Sequence, residues 1–222
     1  MIDLACLQRR AAPFPHWVGD SFLGSEDVRR INAAWPAADD PRWRVEGGAT
    51  VARKASMLFP QMLPAEAHGI AVVLYSPWIC DALSALVGLP LLPDPWFEYG
   101  PDVPRLGGGL HEIHAGGMLG VHIDFERHPS GLRRVANLLI YLNEDWRREW
   151  GGALELHGDE VRAIQPRAGR AVLFRTTADS WHGHPEPLRC PAGRARRSLA
   201  LYYYAADDGP DQRPTTVYRR NV

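Results

Sequence analysis

The stretch Gly117-Met118-Leu119-Gly120-Val121-His122-Ile123-Asp124-Phe125 decides how the rest of the chain is read. Side chains of an extended strand alternate between its two faces, so His122 and Asp124 point one way while Val121, Ile123 and Phe125 point the other. An imidazole and a carboxylate therefore stand side by side. Further on, Ser180-Trp181-His182-Gly183-His184-Pro185 supplies a third donor, and Arg196-Arg197-Ser198 opens an apolar run. Two histidines and one carboxylate, leaving the remaining positions open, form the facial donor set suited to non-haem Fe(II). His122, Asp124 and His182 are the candidate metal ligands. His184 would share a strand face with His182 and competes for the third place.

Around this stretch the segments are short, β-rich and closely punctuated. Strands are expected at 110–115, 118–124, 134–142, 153–157, 161–164, 171–175, around His182 and at 197–204. Turns fall at Gly116-Gly117, His128 to Gly131, Gly151-Gly152, Gly158-Asp159 and Pro166 to Gly169. That strand count suits a double-sheet jelly roll.

Upstream the texture is different. Pro13 to Val18 reads as an extended entry strand, because two prolines hold it out of helix. Ser25 caps a helix with Glu26 and Asp27 in its first turn, which can run until Pro36 with Val28, Ile31 and Trp35 on its apolar face. Residues 37–48 read as loop and 50–59 as a short strand. A helix starts at Pro64, with Ala67, Ile70, Val73 and Leu74 on one face. A second spans 77–87, capped by Ser76 and ended by Gly88, and packs against the first. The proline-rich segment from Pro90 to Pro104, followed by Gly107 to Gly109, is connecting chain. The fold class expected is mainly β with N-terminal helices, a double-stranded β-helix or jelly roll. One domain covers 1–222: helical support and entry strands over 1–109, the jelly-roll core over 110–205, and a tail over 206–222 whose residues 207–214 read as loose.

Composition excludes several classes. The 222-residue chain has a net charge of −1, so no basic field invites nucleic acid. Lys54 is its only lysine. Cys6, Cys80 and Cys190 are odd in number and widely spaced, which suggests neither a disulfide framework nor a zinc knuckle. Residues 1–10 make a poor signal peptide, and the apolar stretch from Ile70 to Leu92 is broken by Pro77, Asp81 and Pro90. A cytoplasmic, reducing location is expected, with no membrane partner and a monomer or homodimer as the assembly.

Residues 110–204 resemble the 2-oxoglutarate- and Fe(II)-dependent oxygenase superfamily in its prolyl 4-hydroxylase-like branch. The matching pieces are His122-Ile123-Asp124, Tyr141 to Trp146, Gly151 to Leu156, Pro166 to Gly169 with Phe174, His182, and Arg196-Arg197-Ser198 leading into Leu199 to Tyr204. The resemblance implies that Fe(II), 2-oxoglutarate and O2 are used and that an unactivated C–H bond is hydroxylated, with release of succinate and CO2. Arg196 would bind the distal carboxylate of 2-oxoglutarate, for which a guanidinium can grip both oxygens. Ser198 would add a hydroxyl from the same strand face, and Tyr141 a phenol. Where many relatives carry a tyrosine before the His122–Asp124 strand, this chain offers His114, the remaining candidate for binding the co-substrate. Asp124 favours hydroxylation, since radical halogenases lack that carboxylate.

Other assignments remain open at this level. Arg194 and Arg197 compete with Arg196, and His111 reads as a surface or packing residue. Trp146, Trp150, Tyr202, Tyr203 and Tyr204 read as wall. Arg134 and Trp181 are candidates for the substrate mouth, although Arg134 and Tyr141 have opposite strand parity, so both can face the site only if a bulge intervenes. Loops 41–53 and 125–133 would form that mouth. The substrate is a small molecule or peptide, with peptidyl or free proline or another amino-acid-like compound first. A cupin-like metal enzyme would leave Arg196 and Ser198 idle, and a non-catalytic jelly-roll binding protein would leave three potential ligands unused.

Overall fold

The computed structural model describes residues 1–58, 63–97, 108–206 and 213–219. In chain order the elements are β1 (Gln8–Arg10), β2 (His16–Gly19), α1 (Ser25–Ala33), β3 (Arg44–Glu46), β4 (Val51–Leu58), α2 (Ala65–Leu74), α3 (Pro77–Val87) and β5 (Gly109–Ile123). Then follow β6 (Arg133–Tyr141), β7 (Leu154–His157), β8 (Val161–Ile164), β9 (Ala171–Arg175), β10 (Trp181–His184), β11 (Ala195–Ala205) and β12 (Val217–Tyr218). The strands pair antiparallel in the order β1-β2-β9-β6-β11-β5-β10-β7-β8, with β4 and β12 also on β5, and β3 on β4. The sheet curls on itself as the jelly roll expected.

The shared element is β5. Its first half pairs with β11 from Gly109 to His114, and its second half pairs with β10 and β12 from Leu119 to Ile123. The sequence reading placed two strands here with a turn at Gly116-Gly117; the chain instead runs on as one strand that bends. Gly116 has φ 77°, and a Cβ on Gly117 would lie 2.6 Å from Ile113 Cγ2 and 2.7 Å from the Ala52 carbonyl oxygen. Glycine lets the strand turn the corner without breaking its ladder.

Alternation then sorts the core. On β6, Ala136, Leu138 and Ile140 face the helices, while Asn137, Leu139 and Tyr141 face inward; on β11, Leu199, Leu201 and Tyr203 pack outward, while Ser198, Ala200 and Tyr202 face inward. The outward set joins Val28 and Ile31 of α1, Ala67, Ala71 and Leu74 of α2, and Ile79, Leu83 and Val87 of α3 in one apolar cluster. Polar ties fix the helices as well: Tyr203 Oη donates to the Leu74 carbonyl at 2.9 Å, and Asn32 Nδ2 to that of Leu142 at 2.8 Å. Among the described residues, no single helix is long and apolar enough to cross a membrane; α2 and α3 meet at a 60° bend. All three cysteines are free thiols.

Several boundaries move. The N-cap of α1 is Gly24, with Ser25 already helical, and Ser76 makes no side-chain cap on α3, its hydroxyl donating back to Val73 instead. Val73 is on the solvent side of α2. Within 37–48, read as loop, β3 forms against β4. The tail is not loose over 213–219, where β12 pairs with β5. Expectations for Phe59, 98–107 and 207–212 lie outside the described residues. Gly117→Ala is expected to cost about 1–3 kcal/mol by forcing the corner open, lowering the melting temperature by about 2–4 °C per kcal/mol in a calorimetric scan.

Candidate active site

His122 and Asp124 sit at the far end of β5 and its exit, and His182 lies directly opposite His122 on β10. Their ligand atoms lie within 4.8 Å of one another, and all three residues are buried. The two imidazole rings have centroids 4.4 Å apart. His122 Nδ1 donates to the Gly120 carbonyl at 2.8 Å and His182 Nδ1 to that of Ser180 at 2.9 Å. Each bond puts the proton on Nδ1 and leaves an Nε2 lone pair for a metal. Asp124 lies close to both, 3.7 Å from His122 Nε2 and 3.4 Å from His182 Nε2. Two such imidazoles and one carboxylate fit Fe(II) in both donor type and number.

Asp124 is kept charged from behind. Its Oδ2 accepts from Asn137 Nδ2 at 2.7 Å and faces Arg134 Nη2 at 3.2 Å, while Arg134 Nε donates to Asn137 Oδ1 at 2.8 Å. The Arg134 guanidinium in turn lies 3.3 Å over the Tyr202 ring and 5.0 Å from that of Phe125. Burial pushes the Asp124 carboxyl up, but Arg134, the two imidazoles and Asn137 outweigh it and hold it well below the usual range. Burial drives His122 down to about 3, and burial also lowers His182. The parity difficulty resolves through a bulge: Tyr203 is opposite Ala136 but Tyr204 is opposite Arg134, so Val135 is extra on β6 and Arg134 turns to the same side as Tyr141.

These groups line a cavity of about 290 Å³ whose far wall carries Arg196 and Ser198. Arg196 Nε donates to the Gly152 carbonyl at 2.7 Å and Nη2 to Tyr141 Oη at 3.2 Å, so its guanidinium is fixed from two sides. A Cβ on Gly152 (φ 72°) would lie 2.6 Å from Leu188 Cδ2 and 3.0 Å from Arg196 Cδ, so glycine is needed for that approach.

The other sequence candidates divide. Arg134 lines the cavity, but it is 2 % exposed and committed to Asp124 and Tyr202 rather than free at a mouth. Tyr141 is wholly buried and reaches Arg196 instead of the cavity. His114 faces away, paired with Glu112 at 2.8 Å, and the inward histidine of that strand segment is His111. Trp181 also faces away, its ring under the Arg219 guanidinium at 5.0 Å. His184 lines the cavity with no hydrogen-bond partner for either ring nitrogen among the described residues. Sequence reasoning missed Asn137, Tyr202 as the Arg134 platform, and Tyr218 of β12, whose ring lies 5.3 Å from that of His122. The run Thr215-Thr216-Val217-Tyr218, β-branched and aromatic, was the available signal for that strand.

Comparison with known proteins agrees with this geometry. Residues 108–204 match the sequence profile of the 2OG-Fe(II) oxygenase superfamily. That stretch is a 2OG-Fe(II) oxygenase domain. It uses Fe(II), 2-oxoglutarate and O2. No curated protein matches the chain. Among solved structures, a prolyl-4-hydroxylase from Pseudomonas putida is similar at TM-score 0.62 and 19 % identity, over 85 % of this chain and 91 % of that one. A prolyl hydroxylase from Trichoplax adhaerens, in complex with a hypoxia-inducible-factor peptide fragment, is similar at TM-score 0.60 and 16 % identity, over 85 % and 83 %. HygX from Streptomyces hygroscopicus, with nickel, 2-oxoglutarate and hygromycin B bound, is similar at 0.55 and 13 %, over 85 % and 82 %. At these identities the likeness is one of fold.

Two outcomes follow for the oxygenase domain. Asn137→Ala is expected to weaken Fe(II) binding by about 10–100-fold, measured by anaerobic titration, because Asp124 loses its orienting amide. The buried imidazoles of His111, His122, His182 and His184 titrate lower in the fold than at the ordinary 6.5. Below that pH the unfolded chain takes up protons that the fold refuses, so stability of the metal-free protein falls as pH drops from 6.5 towards 3, by up to about 1.4 kcal/mol per pH unit for each histidine. Thermal melts between pH 7.5 and pH 5 check the sign.

Proposed function

We propose that this oxygenase hydroxylates a C–H bond of a small amino-acid-like or prolyl substrate, with His122, Asp124 and His182 holding Fe(II) and Arg196 and Ser198 holding the distal carboxylate of 2-oxoglutarate. The observation that carries the proposal is the shared cavity: the three donors and the fixed guanidinium line one cavity built on adjoining strands. Iron with 2-oxoglutarate supplies the oxidation, one oxygen atom of O2 entering the substrate as hydroxyl and the other entering succinate as CO2 leaves.

The chain's own residues prepare the site. The Gly120 and Ser180 carbonyls fix the tautomers of His122 and His182, so no proton must leave a ligand nitrogen when metal enters. Arg134 and Asn137 keep Asp124 an anion, which retains the third protein ligand and favours hydroxyl transfer over halogen transfer. Gly152 and Tyr141 satisfy two edges of Arg196 and aim the remainder at a carboxylate, the bidentate use to which arginine is suited. Leu119, Leu139 and Leu154 line the same cavity with apolar surface, which limits water near the reacting carbon. The prolyl hydroxylases of like fold support a prolyl or amino-acid substrate, while HygX with hygromycin B bound shows that a protein of this fold also holds a quite different molecule. Free thiols and an oxidisable metal site suit a reducing, cytoplasmic setting.

Anaerobic binding of Fe(II) and 2-oxoglutarate, followed by succinate release on admitting O2, tests the proposal. Slow succinate formation that requires iron, disappears in Asp124→Ala, and needs far more 2-oxoglutarate in Arg196→Ala is the expected result. Iron binding without affinity for 2-oxoglutarate would overturn it.

A further inference from the structure

One polar row crosses the cavity wall strand by strand. Tyr141 on β6 is opposite Ser198 on β11, Ser198 is opposite His111 on β5, His111 is opposite Ser56 on β4, and Ser56 is opposite Arg44 on β3. Beside it, Glu46 on β3 is opposite Lys54 on β4. Ser198, His111, Ser56, Arg44, Glu46 and Lys54 all line the cavity. The Arg196–Ser198 end is assigned to the co-substrate above. The β3–β4 end has no assignment.

Its hydrogen bonds fix one proton at a time. Lys54 Nζ donates to both oxygens of Glu46 at 3.1 and 3.2 Å, and the Ser56 hydroxyl donates to Glu46 Oε1 at 2.8 Å. A carboxylate only accepts, so the single Ser56 proton is committed to it. The Ser56 oxygen, 2.9 Å from His111 Nδ1, must then accept from that nitrogen. Burial foremost, with Lys54, Arg134 and Arg196 nearby, keeps the ring neutral. His111 Nε2 is therefore a bare lone pair, buried and without a hydrogen-bond partner among the described residues.

A lone pair repels a carboxylate, and the 2-oxoglutarate dianion has no proton to offer it. The complement of His111 Nε2 is an N–H or O–H donor on another molecule, because a buried acceptor left unmet loses the hydrogen bonds it would make in water. Arg44, two strands away on the same row, pairs with no carboxylate among the described residues. Acceptor and cation on one wall suit a molecule that carries both an amine and a carboxylate.

We propose that His111, held by Ser56 and the Lys54–Glu46 pair, is a specificity-determining residue that accepts a hydrogen bond from the free amine of a small zwitterionic substrate whose carboxylate meets Arg44. The substrate class is then an unblocked amino acid, and a residue inside a peptide, whose amine is acylated, is disfavoured. This rests on the hydroxylase proposal above.

The probes are L-proline, N-acetyl-L-proline and N-acetyl-L-prolylglycinamide, titrated calorimetrically into anaerobic protein loaded with Fe(II) and 2-oxoglutarate, for wild type, His111→Leu, His111→Gln and Ser56→Ala. Co-substrate affinity is read separately from the visible charge-transfer absorption of the iron–2-oxoglutarate complex. L-proline is expected to bind wild type at least tenfold more tightly than either acylated probe. His111→Leu should lose at least tenfold for L-proline, His111→Gln should regain part of it through its amide oxygen, and Ser56→Ala should fall between. Co-substrate affinity should stay within twofold in every variant. Should His111→Leu fail to fold, the glutamine and Ser56 variants carry the same comparison. Equal binding of free and acylated probes, no binding of L-proline to wild type, or a tenfold loss of 2-oxoglutarate affinity in the His111 variants would overturn the proposal. Absence of the charge-transfer band from wild type would instead remove the hydroxylase reading beneath it.

Discussion

A carboxylate held inside a sheet must be kept ionised, and the Asp124–Arg134–Asn137 arrangement is what the remaining architecture serves. Removing a carboxylate from water costs several kcal/mol, and a buried cation recovers that only with good geometry and its other hydrogen bonds satisfied. The bulge at Val135 turns Arg134 inward, Tyr202 receives the flat of its guanidinium, and Asn137 bridges the two charged groups. None of these residues needs to touch a metal to matter. They determine whether the carboxylate beside His122 and His182 is an anion with a fixed direction.

Much of this was readable from the chain, and the reason is periodicity. The alternation that set His122 and Asp124 on one face survives in the structure, as does the assignment of Arg196 and Ser198 to a single inward face. Strands β8 and β9 and helix α3 kept the limits expected of them, because turn residues or a proline and a glycine bracket each one. The parity conflict between Arg134 and Tyr141 was itself legible as a demand for a bulge, although its position was not.

The misreadings have physical causes. Gly116-Gly117 looked like a turn because a glycine pair serves equally for reversing a chain and for bending a strand; only the neighbouring Ala52 and Ile113 distinguish the two uses. His114 was chosen over His111 because their order along the chain says nothing of which parity faces in, and that is set by pairing with β11 and β4. Trp181 was drawn to the mouth by its adjacency to His182, yet adjacency along a strand means opposite faces. β3 and β12, three and two residues long, carry too little pattern to be seen without the partner that orders them.

Within the described residues, β3 has only β4 beside it, and its Arg44 and Val45 are exposed. The wall that it helps to form is thus the margin of the sheet, whereas His122, His182 and Arg196 are on strands hydrogen-bonded on both sides, with Asp124 directly after β5. Substitutions at such a margin disturb few packed neighbours. The molecule is in this sense divided into a braced interior and a bordering ribbon, and residues on that ribbon can change with little strain on the strands behind it.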